Sequence, residues 1–85
     1  MKEFTYVIKD EIGIHARPAG NLVKVVKDTK SNVTIECKGK KADAKKIFSL
    51  LSLAAKCNDE IKITIDGEDE EKVEKDLVKY LSENL

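Results

Sequence analysis

The stretch Ile12-Gly13-Ile14-His15-Ala16-Arg17-Pro18-Ala19 decides the fold, because it joins a strand pattern to a helix pattern. It also contains the only histidine, the only arginine and the only proline of the chain. Proline fits the first turn of a helix, where a missing N–H costs little. Apolar residues then recur at helical spacing from Ala19 to Val26. His15 is therefore predicted at, or just before, the N-terminus of a first helix.

The residue types in this stretch suit an anion. Histidine has an ordinary pKa near neutrality, so His15 can be a neutral nucleophile at cellular pH. Arg17 offers a fork of donors that matches phosphate or carboxylate. The free N–H groups of Ala16 and Arg17 and the helix dipole would favour negative charge at the same point. A lone histidine at a helix start is nevertheless more often a cap or a surface residue. The residues alone leave both interpretations open.

Alternating and helical patterns predict the other elements. Phe4, Tyr6 and Ile8 mark one face of a first strand, which leads into a helix over residues 16–27. Val33, Ile35 and Cys37 mark the inner face of a second strand. A turn at residues 38–40 and a short third strand at 41–43 follow.

The second half of the chain continues in the same way. A second helix is predicted over residues 45–55, with Asp43 as its cap. A strand and a third helix, over 69–82, complete the chain. The predicted inner faces are Ile47, Leu50, Leu51 and Ala54 in the second helix, Ile61, Ile63 and Ile65 in the strand, and Val73, Leu77, Tyr80 and Leu81 in the third helix. Phe48 lies off the stripe, and the pattern allows it to be exposed or partly buried.

Alternating strand faces indicate a sheet with one buried face, which helices should cover. The chain is therefore predicted to be one α+β two-layer domain over residues 1–85. Sixteen basic and sixteen acidic side chains give no net charge, which argues against binding to nucleic acid through bulk charge. Neither an apolar span nor a signal-peptide pattern is present, so a cytoplasmic location without membrane insertion is expected. Cys37 and Cys57 form no CxxC pair and one histidine offers no ligand set, so no metal or cofactor is expected.

Gly-Ile-His-Ala-Arg-Pro-Ala at 13–19 resembles the active-site sequence of HPr, the histidine-containing phosphocarrier family of the bacterial phosphoenolpyruvate–sugar phosphotransferase system. The resemblance covers the whole chain in length and order of elements. It implies a four-stranded antiparallel sheet covered on one face by three helices, in the order βαββαβα. It also implies a carrier that takes a phosphoryl group from enzyme I and passes it to enzyme IIA domains. Such a protein is a stoichiometric carrier and not an enzyme, and we expect a monomer.

The resemblance also assigns residues. His15 would accept the phosphoryl group on Nδ1, Arg17 would contact that group and the partners, and Ala16 would contribute a backbone N–H. Partner docking would combine the start of the first helix with Ile47, Phe48 and Leu51. Relatives of Gram-positive type carry a regulatory serine immediately before that isoleucine.

In this chain the position of the regulatory serine is held by Lys46, so the serine switch is expected to be absent. Ser49 and Ser52 lie further along the helix and do not match the site. The Ser49 hydroxyl can also bond back to a carbonyl one turn earlier, which makes it a poorer target.

Two alternatives belong to other functional classes. The chain could be an HPr-like paralogue that regulates through protein contacts, although its retention of His15 and Arg17 counts against this. It could also be a small module that binds a metabolite or RNA. An RNA-binding module would need stacked surface aromatics and a basic face, and only Phe4, Tyr6, Phe48 and Tyr80 are available.

Overall fold

Each predicted strand and helix forms in the computed structural model, which describes residues 1–85. The order is β1 (Lys2–Val7), α1 (Ala16–Val26), β2 (Asn32–Cys37), β3 (Lys40–Asp43), α2 (Ile47–Ser52), β4 (Glu60–Asp66) and α3 (Glu70–Asn84). β3 begins one residue before its predicted start, and α3 runs from Glu70 to Asn84 instead of 69–82. The predicted order of elements is confirmed.

The four strands form one antiparallel sheet in the order β1-β4-β2-β3. β4 lies inside the sheet, where Ile63 pairs with Phe4 of β1 and with Ile35 of β2. Because side chains alternate along a strand, this register places the apolar residues of neighbouring strands on one face. The three helices cover that face, so the predicted fold class is confirmed.

The core lies between the sheet and the helices. Twenty buried apolar residues form a single cluster. Its largest fully buried members come from every layer: Ile8, Leu22, Val26, Val33, Ile35, Leu50, Ile61, Ile63, Ile65, Val73, Leu77 and Leu81. Cys37 is buried at the end of β2 as predicted, and burial raises the pKa of its thiol. Both cysteines are free thiols.

The second helix is much shorter than the predicted 45–55. It spans Ile47–Ser52 and has Lys46 at its N-cap, so the prediction of Asp43 as the cap is wrong. Asp43 instead accepts a hydrogen bond from the N–H of Lys45 at 2.9 Å, before the helix begins. The assignment of Ala54 to the inner face is also wrong. Ala54 is exposed and has a φ of 52°, outside the helix.

None of the three helices is both long and apolar enough to cross a bilayer. The longest, α3, has 15 residues and carries charged side chains along most of its length.

Candidate functional site

The loop before α1 is held in place by backbone contacts with the segment after α2. Gly13 has a φ of 85°, and a Cβ at this position would overlap the carbonyl oxygen of Ala55. Only glycine fits both the conformation and the space. The N–H of the next residue, Ile14, donates to that same carbonyl at 2.9 Å. Asp10 fixes the other end of the loop by accepting from the N–H of Ile12 at 2.9 Å. Together these bonds set the point at which the chain enters α1.

His15 is the N-cap residue of α1 and has an extended backbone, with φ −126° and ψ −175°. Its carbonyl accepts the N–H of Ala19 at 2.9 Å, but its side chain makes no capping hydrogen bond. Pro18 has no N–H, and no acidic residue lies in the first turn. The N–H groups of Ala16 and Arg17 therefore have no protein acceptor and are available to an anion. The ring of His15 is half-buried beside them.

Arg17 is exposed and its guanidinium is unpaired. It makes no salt bridge and no side-chain hydrogen bond with another residue. Asp10 and Glu83 line the same depression as Arg17, yet neither carboxylate forms an ion pair with it. The structure thus brings His15, the two open N–H groups and a free guanidinium together at one helix start.

A shallow depression beside His15 separates the start of α1 from the end of α3. Arg17, Asn21, Tyr80 and Glu83 are among its lining residues. No group of three His, Cys, Asp or Glu side chains is arranged to hold a metal ion.

Tyr80 also lines this depression, although it lies far from the motif at 13–19 in the sequence. The sequence pattern places Tyr80 in the core stripe of α3, but it is only half-buried, and its hydroxyl donates to the carbonyl of Pro18 at 2.9 Å. Burial raises the pKa of Tyr80, partly offset by the positive charge of Arg17, so the hydroxyl stays protonated at neutral pH. No spacing in the sequence indicates this contact, since the two residues are 62 positions apart.

The predicted docking residues lie on α2, which packs beside α1. Gly20 of α1 faces the side chain of Ile47, whose Cδ1 atom would lie 3.6 Å from a Cβ at the glycine. Ile47 and Leu51 are half-buried and pack against the core cluster. Phe48 is 82% exposed, which decides between the two positions that the pattern allows. Ile12, in the loop before His15, is 66% exposed. Large exposed apolar side chains thus occur both beside His15 and on α2.

Lys46 occupies the N-cap of α2 and is exposed. Two serines follow on α2. The Ser49 hydroxyl makes no hydrogen bond to a carbonyl one turn earlier, whereas the Ser52 hydroxyl donates to the carbonyl of Ser49 at 2.6 Å. Ser49 is half-buried.

Comparisons with known proteins place the chain in one family. The family model described as "PTS HPr component phosphorylation site" matches residues 2–83. A phosphocarrier protein HPr from Mycoplasma genitalium is 44% identical over 72 residues, which are 84% of this chain and 82% of the relative.

Solved structures give the same result. A mycoplasma histidine-containing phosphocarrier protein has a TM-score of 0.93 at 32% identity, covering 96% of this chain and 93% of its own. An HPr structure from Thermoanaerobacter tengcongensis has a TM-score of 0.91 at 36% identity, covering 96% and 92%. Another structure from that organism is described as an HPr dimer and has a TM-score of 0.77, covering 98% and 95%.

Proposed function

The chain belongs to the HPr family of phosphocarrier proteins, and we propose that it carries a phosphoryl group on His15 between enzyme I and sugar-specific enzyme IIA domains. The observation that supports this most strongly is the position of His15. It lies beside two unoccupied N–H groups and the unpaired guanidinium of Arg17. Residues 1–85 act as one domain in this role.

The transfer needs only one nucleophile. The lone pair on His15 Nδ1 attacks the phosphorus on the donor, and a nitrogen–phosphorus bond forms while the bond to the donor breaks. The donor keeps the electron pair of the broken bond, and the reverse exchange passes the group to the acceptor. The N–H groups of Ala16 and Arg17 and the guanidinium stabilise the charge that spreads over the phosphoryl oxygens. No cofactor is needed, and the protein acts as a stoichiometric carrier and not as an enzyme.

Partners dock on what we call the docking surface, formed by the start of α1 and by Ile47, Phe48 and Leu51. An aromatic ring as exposed as that of Phe48 suits burial in a partner interface. Unpaired cations lie close by, since residues 12–27 and 44–58 contain basic side chains but no acidic one. Such a surface favours partners with acidic faces and an apolar pocket. Binding to nucleic acid through bulk charge is not expected, because the chain has no net charge.

The protein works in the cytoplasm as a monomer, which leaves its docking surface free for one partner at a time. Light scattering at micromolar concentration should give the mass of one chain. A mass of two chains, as in the relative described as a dimer, would contradict the monomer.

The proposed carrier function is tested by incubation with phosphoenolpyruvate and enzyme I. We expect a mass increase of one phosphate, with an acid-labile and base-stable linkage. The His15→Ala variant should remain folded and gain no phosphate, because no other imidazole exists in the chain. Phosphate on the variant would show that the acceptor lies elsewhere. A wild-type protein that stays unlabelled would instead favour a paralogue that acts only through protein contacts.

A further inference from the structure

Two tyrosine hydroxyls connect distant parts of the chain in the same chemical way. Tyr80 on α3 donates to the carbonyl of Pro18 on α1, at 2.9 Å. Tyr6 on β1 donates to the carbonyl of Leu81 on α3, also at 2.9 Å. Both rings are half-buried and pack against the core cluster. The two bonds differ in where they end, since only the bond from Tyr80 ends in the first turn of α1.

That turn has few other connections to the rest of the protein. Ile14, just before it, donates to the carbonyl of Ala55 at 2.9 Å, which fixes the entry of the chain. Within the turn, the N–H of Ala19 returns to the carbonyl of His15. Tyr80 provides the only hydrogen bond from another helix to residues 15–21. Its bond therefore fixes the turn relative to α3.

We propose that Tyr80 is a positioning residue for phosphoryl transfer, which holds the first turn of α1 so that the N–H groups of Ala16 and Arg17 face the phosphoryl group on His15. The inference rests on the proposed function and names a residue that serves the same site. Tyr80 acts through the backbone of Pro18 and does not touch the phosphoryl group itself.

The position of Tyr80 allows an estimate of how much loss of its hydroxyl would slow phosphoryl transfer. Tyr80 lines the depression that also contains His15 and Arg17, and its hydroxyl is bonded to the carbonyl of Pro18, the residue after Arg17. Hydrogen bonds to a phosphoryl group depend strongly on direction and distance, and small misplacements of catalytic donors lower rates considerably. Loss of one positioning bond, with the ring retained, should slow transfer about fivefold.

The test compares Tyr80→Phe with Tyr6→Phe. Each variant loses one hydroxyl and one bond of the same length to a backbone carbonyl, and each keeps its aromatic ring. Both should lower the melting temperature by a similar amount. Only Tyr80→Phe should slow single-turnover transfer from phosphorylated enzyme I, by about fivefold, while the affinity for enzyme I stays at the wild-type value. Tyr6→Phe should transfer within about twofold of the wild-type rate.

NMR amide shifts measured on phosphorylation separate a positioning role of Tyr80 from a role in stability alone. On phosphorylation, the amide protons of Ala16 and Arg17 should shift downfield as they bind the phosphoryl oxygens. The shift should be smaller in Tyr80→Phe and unchanged in Tyr6→Phe. Equal transfer rates and equal amide shifts in the two variants would overturn the role of Tyr80. A wild-type protein that enzyme I cannot label would give a different pattern, since it would refute the proposed function together with everything that rests on it.

Discussion

The starts of α1 and α3 carry different charge, although both helices cover the same face of the sheet. α3 has Glu70 and Glu71 in its first turn, which complement the positive end of the helix dipole. The carboxylate of its N-cap residue, Asp69, already accepts two hydrogen bonds within the chain. They come from the hydroxyl of Ser31 and from the N–H of Lys30. Neither helix has a side-chain cap, but α1 also has no acidic residue in its first turn. The dipole of α3 is thus complemented by acidic side chains of its own first turn, and the dipole of α1 is not.

The charge along the helices follows the same division. Residues 12–27 and 44–58, which contain α1 and α2, have basic side chains and no acidic one. α3 mixes both signs over its length. A net charge of zero for the whole chain therefore hides two segments, those containing α1 and α2, whose charged side chains are all basic. We therefore expect substitutions near the starts of α1 and α2 to affect phosphoryl transfer more than substitutions on α3.

After His15→Ala, the largest effect is expected from Arg17→Ala. The guanidinium has no partner in the protein, so its donors are free for the phosphoryl group. Charge-assisted hydrogen bonds are worth about 1.5–3 kcal/mol, which predicts transfer slowed about tenfold to a hundredfold. Rapid-quench kinetics in both directions measure the change.

The control for Arg17 is Lys79→Ala, which removes an exposed and unpaired cation from α3. It should leave transfer unchanged. Equal slowing in both variants would mean that overall charge matters and that the helix start does not.

Much of this fold follows from the sequence, since alternation and helical spacing indicate every strand and helix. The residue at which α2 ends cannot be predicted from the sequence. Ala54 and Ala55 are strong helix formers, so local propensity extends the helix through them. The chain leaves the helix because the carbonyl of Ala55 must reach the N–H of Ile14, 2.9 Å away, and Gly13 packs against it. A tertiary contact overrides propensity there.

Part of the candidate site can also be located from the sequence. His15, Ala16 and Arg17 are neighbours in the motif at 13–19, so the chain itself brings them together. Tyr80 could not be predicted, since its contact with Pro18 joins residues that only the packing of α3 on α1 brings together. The exposure of Phe48 also needed the structure, because a six-residue helix gives its residues little periodicity to distinguish inside from outside.

The next largest effect is expected from Phe48→Glu. A charge on the docking surface would enter an apolar contact, so we expect affinity for enzyme I and enzyme IIA to fall about tenfold. Calorimetric titration measures the affinity, and circular dichroism should show an unchanged fold. The matched control is Val78→Glu on α3, whose side chain is 47% exposed. If Val78→Glu weakens binding as much as Phe48→Glu does, partners do not discriminate between the two sides of the molecule.

A smaller effect, on stability alone, is expected at the start of α3. Hydrogen bonds from Ser31 and from the N–H of Lys30 lower the pKa of Asp69 below its usual 3.8. A carboxyl with a lowered folded-state pKa stabilises the fold fully above the unfolded value, and this contribution is lost as the pH falls through the folded value. Asp69→Asn should therefore be less stable at pH 7, and the difference from wild type should shrink below about pH 3.8.

Urea unfolding at a series of pH values measures the effect at Asp69. The free energy of unfolding of Asp69→Asn should still fall at low pH, although less than that of wild type. Asp59 accounts for this remainder, because the N–H of Lys56 and the ammonium of Lys38 lower its pKa as well. Asp76→Asn is the control, since Asp76 is exposed on α3 and forms no ion pair. A constant difference between Asp69→Asn and wild type at all pH values would exclude the carboxylate as the source. Transfer rates should not change in either variant.

The smallest effect is expected when the wild-type protein is incubated with a serine-specific HPr kinase and ATP. We expect no serine to be phosphorylated. The start of α2 carries Lys46 as its N-cap, and an ammonium cannot accept a phosphoryl group in place of a hydroxyl. Ser49 is half-buried and lies about 4.5 Å further along the helix axis. The hydroxyl of Ser52 is exposed but already donates to the carbonyl of Ser49, at 2.6 Å.

The matched variant for this last test is Lys46→Ser, which supplies a hydroxyl at the expected position and should take one phosphate. That phosphate would place negative charge on the basic side of the molecule and repel acidic partners, so binding of enzyme I should weaken only in the phosphorylated variant. In the wild-type protein, Lys46 has the opposite charge, so docking should be constitutive and should weaken as salt is added. Peptide mapping locates any phosphate. Stoichiometric phosphate on Ser49 or Ser52 of the wild type, with loss of enzyme I binding, would show that the switch has moved along α2 instead of disappearing.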